Sequence, residues 1–288
     1  PRDMAKLLEM ALEHGIEETY AREFIIRHSL IPKDPSRACH QWPWPVRIQT
    51  LGGFDLVIKG SSYFSQGKNP IKIFLLLKML IVSEKNGIPE TQIQDALWPD
   101  MDGDRAHNIF STTLHRLRKI LGIEQAILFN HGRVSLNPRY SWVDAHYFLS
   151  CVQEVDRFNR QKDNGKAKAC ALMEQAMRVY HGSFLPGDDE AWILPTRQKL
   201  TLAFHKCVST LGRSYEQDGR LEKAVDLYMN ALEVDPLVEN FYRSLMLCYL
   251  KMEKPAEARK AYLRCRETLT KLLGVEPSRQ TSSLFKHI

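Results

Sequence analysis

Between Asp102 and Gly122 apolar residues recur every three or four positions, and no other window so narrows what this chain can fold into. At about 3.6 residues per turn, Ala106, Ile109, Phe110, Thr113, Leu114, Leu117, Ile120 and Leu121 share one side of a helix. Asn108, Thr112, His115 and Lys119 fall opposite, flanked by Arg105, Arg116 and Arg118. The first face must be buried against a core. The second offers amide, hydroxyl, imidazole and guanidinium groups, with no acid after Asp104. An ordinary surface helix mixes Glu with Lys to form i,i+4 pairs, and this one does not. Its groups suit base edges and phosphates in a major groove. Asp104 is placed to be its N-cap.

The flanking sequence frames this helix. Val46–Leu51 and Phe54–Ile58 alternate around Gly52-Gly53, which predicts a hairpin. Asn69-Pro70 opens a helix reaching about Ser83 that is apolar on nearly every side, so it belongs at a domain centre. A second helix covers Glu90–Trp98, with Ile93, Ala96, Leu97 and Trp98 facing inward. After Gly122, Ile127–Phe129 and Arg133–Leu136 flank Asn130-His-Gly132 as another hairpin. The order is hairpin, three helices, hairpin.

Residues 4–30 read as helix broken near Gly15, followed by Ile31-Pro-Lys-Asp-Pro-Ser36 and Trp42-Pro-Trp-Pro45. Prolines at this density end helices and stiffen a connection, and the tryptophans read as partly buried anchors. From Asp144 onward strand signals vanish. Val208, Leu211, Gly212, Tyr215, Ala224, Tyr228, Ala231 and Pro236 occupy positions 4, 7, 8, 11, 20, 24, 27 and 32 of a 34-residue unit. A shift of one unit gives Tyr242, Leu245, Met246, Tyr249, Ala258 and Tyr262. This is the tetratricopeptide pattern, in which small residues let paired helices approach and aromatics fill the gaps.

A chain of 288 residues exceeds the roughly 250 that one core supports, so two domains are expected. Residues 46–143 carry 12 Lys/Arg against 8 Asp/Glu, a small surplus that fits nucleic-acid binding without demanding it. The longest apolar run, Ile71–Val82, contains Lys72 and Lys78 and is too short to cross a membrane. Cys39, Cys151, Cys170, Cys207, Cys248 and Cys265 form no C-x-x-C pair and read as reduced thiols of a cytoplasmic protein. The chain opens on Pro1 rather than Met, which reads as a piece of a longer protein. Catalytic signals are weak. Gly60–Asn69 has six residues between its glycines and Asn69 where a P-loop needs Ser or Thr, so it reads as a plain loop. Asp188-Asp-Glu190 reads as a loop and helix-start cluster, and no metal, cofactor or enzyme motif is expected.

Hairpin, three helices and hairpin, with a basic third helix, resembles the winged helix of response regulators, and Leu114–Gly122 resembles the end of its recognition helix. Followed by a tetratricopeptide-like array, the whole resembles the bacterial transcriptional activator domain (BTAD) regulators of the antibiotic-regulatory (SARP) type. Leu51-Gly-Gly-Phe54, Ala96-Leu-Trp-Pro99, Val143-Asp-Ala145, Gly182-Ser-Phe-Leu-Pro-Gly187 with Trp192 and Arg197, Asp235-Pro-Leu237 and Leu273-Gly-Val-Glu-Pro277 also match.

The resemblance implies a mainly α protein with small β content: an N-terminal helical segment and Pro/Trp linker over 1–45, a winged helix-turn-helix domain over 46–143, and an all-α repeat domain over 144–288. It implies a transcription activator that reads promoter DNA. Arg116 would reach a guanine edge, Arg118 a phosphate, and Arg133 the wing contact. Asn108, Thr112 and His115 would face bases and Lys119 the backbone, with Arg105 beside them. His115 stands where the family usually has Arg or Ser, so the sequence read here is expected to differ. Asp100 and Asp102, in the loop before the third helix, are candidates for contact with RNA polymerase, though solvation and helix capping explain them equally well. The repeat domain would position, self-associate or receive an unidentified effector. The competing reading is an interaction scaffold whose winged helix binds partner proteins rather than DNA.

Overall fold

The computed structural model describes residues 2–35, 38, 40–66, 70–83, 86–161 and 165–286. Cys39 and the Gly67-Lys-Asn69 end of the loop discussed above lie outside them. The chain divides into two compact units, Pro1–Ser150 with Phe184–Gln198, and Cys151–Ser183 with Lys199–Ile288. Among the described residues no helix is long and apolar enough to cross a membrane.

The first unit opens on α1 (Arg2–Glu13) and α2 (Glu18–Arg27). These residues and the Pro/Trp segment group with the winged helix in the first compact unit. Trp42 and Trp44 are 2% and 3% exposed, so both serve as anchors. Strand β1 (Val46–Gln49) pairs antiparallel with β2 (Asp55–Ile58), Val46 facing Ile58. The short β3 (Ser61–Ser62) extends this sheet, so part of the expected plain loop is strand, followed by a 3₁₀ turn at Tyr63–Gln66. Val46, Ile48 and Leu56 are wholly buried, as period-two alternation requires of a one-sided sheet.

Helices α3 (Ile71–Val82), α4 (Glu90–Leu97) and α5 (Gly103–Leu121) follow, separated by β4 (Ile88–Pro89) and the loop after Leu97. Leu76, Leu77 and Leu80 of α3 have no exposed surface, consistent with its central place. Strands β5 (Ile127–Asn130) and β6 (Arg133–Leu136) form the second hairpin, and β4 adds to its other edge in the order β4-β6-β5. A further strand, β7 (Ser141–Val143), runs parallel to β1 and completes the four-stranded order β3-β2-β1-β7. Ala96, expected inside, is exposed because α4 turns only Ile93 and Leu97 to the core.

Asp144 locks the sheet to the chain that follows. Its buried carboxylate accepts from Thr50 N at 2.8 Å, Leu51 N at 2.9 Å, Ala145 N at 2.7 Å and the Thr50 hydroxyl at 2.5 Å. Burial pushes this carboxyl above the ordinary range, while the four donors pull the other way. Phe184 bridges to Leu51 and Leu185 N donates to Thr50 O at 2.7 Å, which explains why residues 184–198 group with the first unit. Arg197 holds that segment by donating to the carbonyls of Phe184, Leu185 and Asp188. Asp188 pairs with Lys78 at 2.7 Å, so the acidic cluster has a structural role there.

Helices α6 (Asp144–Gln161) and α8 (Leu194–Gln217) carry residues of both units. The second unit adds α7 (Lys166–Val179), α9 (Leu221–Val234), α10 (Glu239–Lys251), α11 (Pro255–Leu273) and α12 (Arg279–Lys286). The repeat positions are its core. Ala224, Tyr228, Ala231, Tyr242, Met246 and Ala258 are at most 1% exposed. A Cβ on Gly212 would overlap the Tyr228 ring, which is the close approach the pattern calls for. Phe285 of α12 stacks on Tyr262 with centroids 4.0 Å apart and covers the last pair.

Candidate nucleic-acid interface

Two local features start α5 where it starts. Asp102 is extended, with φ −65° and ψ 157°, and its carboxylate accepts from Arg105 N at 3.0 Å. It, rather than Asp104, is the N-cap. Gly103 already belongs to the helix, so Asp104 sits in the first turn and complements the helix dipole. At the other end Gly122 adopts φ 68° and its N–H donates to Arg118 O.

The helix then presents the two faces read from the sequence. Ala106, Phe110, Thr113, Leu114, Leu117 and Leu121 are buried, whereas Ile109 and Ile120 lie at the margins and are half-buried. Arg105, Asn108, Thr112, His115, Arg116 and Lys119 are all exposed. The Thr112 hydroxyl donates to Asn108 O one turn back, a bond it can exchange without disturbing the helix.

Arg118 does not join them. Its guanidinium donates to Ile127 O at 3.2 Å, and its Nε is buried without a partner among the described residues. The side chain lies on the flank that meets β5, so it ties the helix to the wing instead of facing outward. Arg133 is exposed but committed: Nε donates to Asn86 O at 3.0 Å and Nη2 to Gly87 O at 2.7 Å. These bonds brace the wing against the segment before β4.

The wing tip is a two-residue turn between the paired Asn130 and Arg133. His131 and Gly132 have φ of 50° and 71°, the left-handed pair a twisted hairpin needs, which is why glycine is required at 132. Gly132 O also accepts from Glu90 N at 3.0 Å, joining the wing to the start of α4. Glu90 in turn pairs with His107 Nδ1 at 2.5 Å and accepts from Gln94. This Glu90–His107 link between α4 and α5 was absent from the sequence expectations. Glu-to-His spacing of 17 residues has no helical meaning until the turn between the two helices is known.

A second omission lies beside α5. Arg116 and Lys119 line an open cleft of about 880 Å³ together with Ser61, Ser62 and Tyr63. The hydroxyls come from β3 and its following turn, too short to carry a sequence pattern. Ser62 donates its hydroxyl to Asp55, so Arg116, Lys119 and the Ser61 and Tyr63 hydroxyls make up a donor set suited to phosphate oxygens. Asp100 and Asp102 are exposed in the preceding loop, with Asp102 engaged as the cap. No group of three or more His, Cys, Asp or Glu able to hold a metal occurs among the described residues.

Residues 143–288, half of the chain, match the family described as the bacterial transcriptional activator domain. The chain is 23% identical over 256 residues to the transcriptional regulatory protein MoaR1 of Mycobacterium tuberculosis, covering 84% of this chain and 79% of that protein. The same figures hold for MoaR1 of Mycobacterium bovis. Among solved structures, Mycobacterium tuberculosis EmbR in complex with a low-affinity phosphopeptide has the same fold, with a TM-score of 0.62 at 19% identity. That match covers 85% of this chain but 65% of EmbR, so the chain spans just under two thirds of that relative.

Proposed function

We propose that this chain, which belongs to the bacterial transcriptional activator domain family of transcription regulators, acts by binding duplex promoter DNA through α5. The observation that carries the reading is the exposed face of that helix. Arg105, Asn108, Thr112, His115, Arg116 and Lys119 stand together on it, with the opposite face buried and no acid after Asp104. Arg116 takes a guanine edge, and Asn108, Thr112 and His115 the neighbouring bases. Lys119 and Arg105 take phosphates, aided by the Ser61 and Tyr63 hydroxyls across the cleft.

The wing directs His131 and the remaining N–H groups of Arg133 to the backbone or minor groove. Arg118 is left out of the contact set because its donors face β5. In this reading the protein is an activator, with the exposed Asp100 and Asp102 in the loop before α5 open to RNA polymerase. The helical repeat unit receives the regulatory signal or self-associates, and the phosphopeptide bound to EmbR makes a protein ligand a reasonable class of signal. The work takes place in the cytoplasm.

Selection of binding sites from random duplex DNA, at low and moderate salt, tests this reading. A recurring motif whose binding weakens with salt supports it. A protein-interaction scaffold would instead show no duplex affinity even at low salt.

A further inference from the structure

The first unit contains a cavity of about 660 Å³ bounded by α2, the Trp-Pro-Trp-Pro segment, β1 and β2. Such a volume lies within the roughly 300–1,000 Å³ of small-molecule sites. Ile25, Trp42, Trp44, Val57 and Ile123 supply apolar wall. Among the described residues its charged lining is Arg22, Arg47, Lys59 and Arg139, with no acid. Among the described residues Arg22 pairs with Glu18 alone, a weak i,i+4 contact at 3.6 Å. Arg47 is half-buried, lies 5.1 Å over the Trp142 ring, and has no ion pair among the described residues.

A guanidinium in that position is under-compensated. Burial and the neighbouring Arg22 charge push its pKa below the ordinary value, and the Asp144 charge offsets them only in part. The Trp44 indole N–H is likewise buried with no acceptor among the described residues. Two cations that repel each other, an idle donor and aromatic walls are what an anion with an apolar body would satisfy. We infer that this cavity binds a small organic carboxylate with an aromatic or branched apolar body, its carboxylate held by Arg47 and Arg22. Guanidinium matches carboxylate bidentately, and the tryptophan faces take the body. Ile123 directly follows the Gly122 cap of α5, so an occupant touches the residue next to the end of that helix. The site belongs to the first unit, whereas the helical repeats belong to the second.

The test uses the whole chain and four probes, benzoate, 1-naphthoate, indole-3-acetate and 4-methylpentanoate, each beside its uncharged amide. Binding is read by thermal shift and by tryptophan fluorescence, neither of which depends on DNA. At least one carboxylate is expected to saturate, with its amide weaker by about tenfold or more, as for loss of a charged hydrogen bond. Arg47→Gln and Arg22→Gln are each expected to weaken that probe by a similar factor. Arg22 is partly exposed on α2, so its variant keeps an unliganded melting temperature close to the parent's and separates binding from folding. Absence of saturation for every carboxylate overturns the inference, as does equal binding of the amides or unaltered binding by the Arg22→Gln protein.

Discussion

Gly212→Ala sets two effects of opposite sign against each other. In a helix interior alanine is favoured over glycine by about 1 kcal/mol, so α8 on its own would gain. The added methyl, however, overlaps the hydroxyl and two ring carbons of Tyr228, a side chain 1% exposed. The ring cannot swing into solvent, and its hydroxyl is bound to Glu216 at 2.9 Å. Relieving the overlap must push α8 from α9 or turn the ring and break that bond. Overpacking of this kind costs roughly 1–3 kcal/mol, and the lost hydrogen bond adds about 1. Setting the helix gain of about 1 kcal/mol against this total of about 2–4 leaves a net loss of about 1–3 kcal/mol. Urea unfolding followed by circular dichroism measures it. The partner change Tyr228→Leu, which vacates the space, should make Gly212→Ala much less harmful on that background. Alanine at 212 that is neutral or stabilising in the parent would refute the close approach of α8 and α9.

Three other outcomes are expected. Asp144→Ala leaves buried donors on Thr50 and Leu51 without an acceptor and should cost about 3–5 kcal/mol, with Asp144→Asn milder; chemical denaturation checks both. Arg118→Ala should lower the melting temperature of the winged-helix unit while leaving the salt slope of DNA binding unchanged, and Lys119→Ala should do the reverse, lowering the slope by about 1. Burial pushes the thiols of Cys207 and Cys265 up to about 12 and that of Cys248 to about 11, from an ordinary 9.0. Unfolded thiols therefore ionise first as pH rises, so stability held below pH 9 should decline through the range 9–12. Peptide-level alkylation at pH 8 should find these three unreacted in the native protein and labelled in urea.

Much of this architecture is local and so was open to pattern reading. The two faces of α5 follow from spacing alone, and the wing turn from Asn130-His-Gly132. The 34-residue period exposed the repeat core because Gly212 and Tyr228 need each other's sizes. What spacing does not carry is long-range pairing. Strand β7 exists because Ser141 meets Val46 across 95 positions, and β4 because Ile88 meets Val134. Two residues of strand have no period. The cap was misplaced because Asp102 and Asp104 are equal candidates until one knows that Gly103 is already helical. Arg118 looked outward on a helical wheel, yet the Ile127 carbonyl that holds it comes from the next hairpin. Sequence shows where a charge sits on a helix, and tertiary packing decides what it faces.

The central claim is that α5 reads DNA, and the salt dependence of binding to a selected duplex tests it most directly. If Arg105, Lys119 and Arg133 each engage a phosphate, log K should fall linearly with log salt with a slope of about −3. Arg116→Ala should weaken the selected duplex by about 1–3 kcal/mol while sparing random duplex. A flat salt response, or an Arg116→Ala protein with undiminished affinity and the same preferred sequence, would contradict the account.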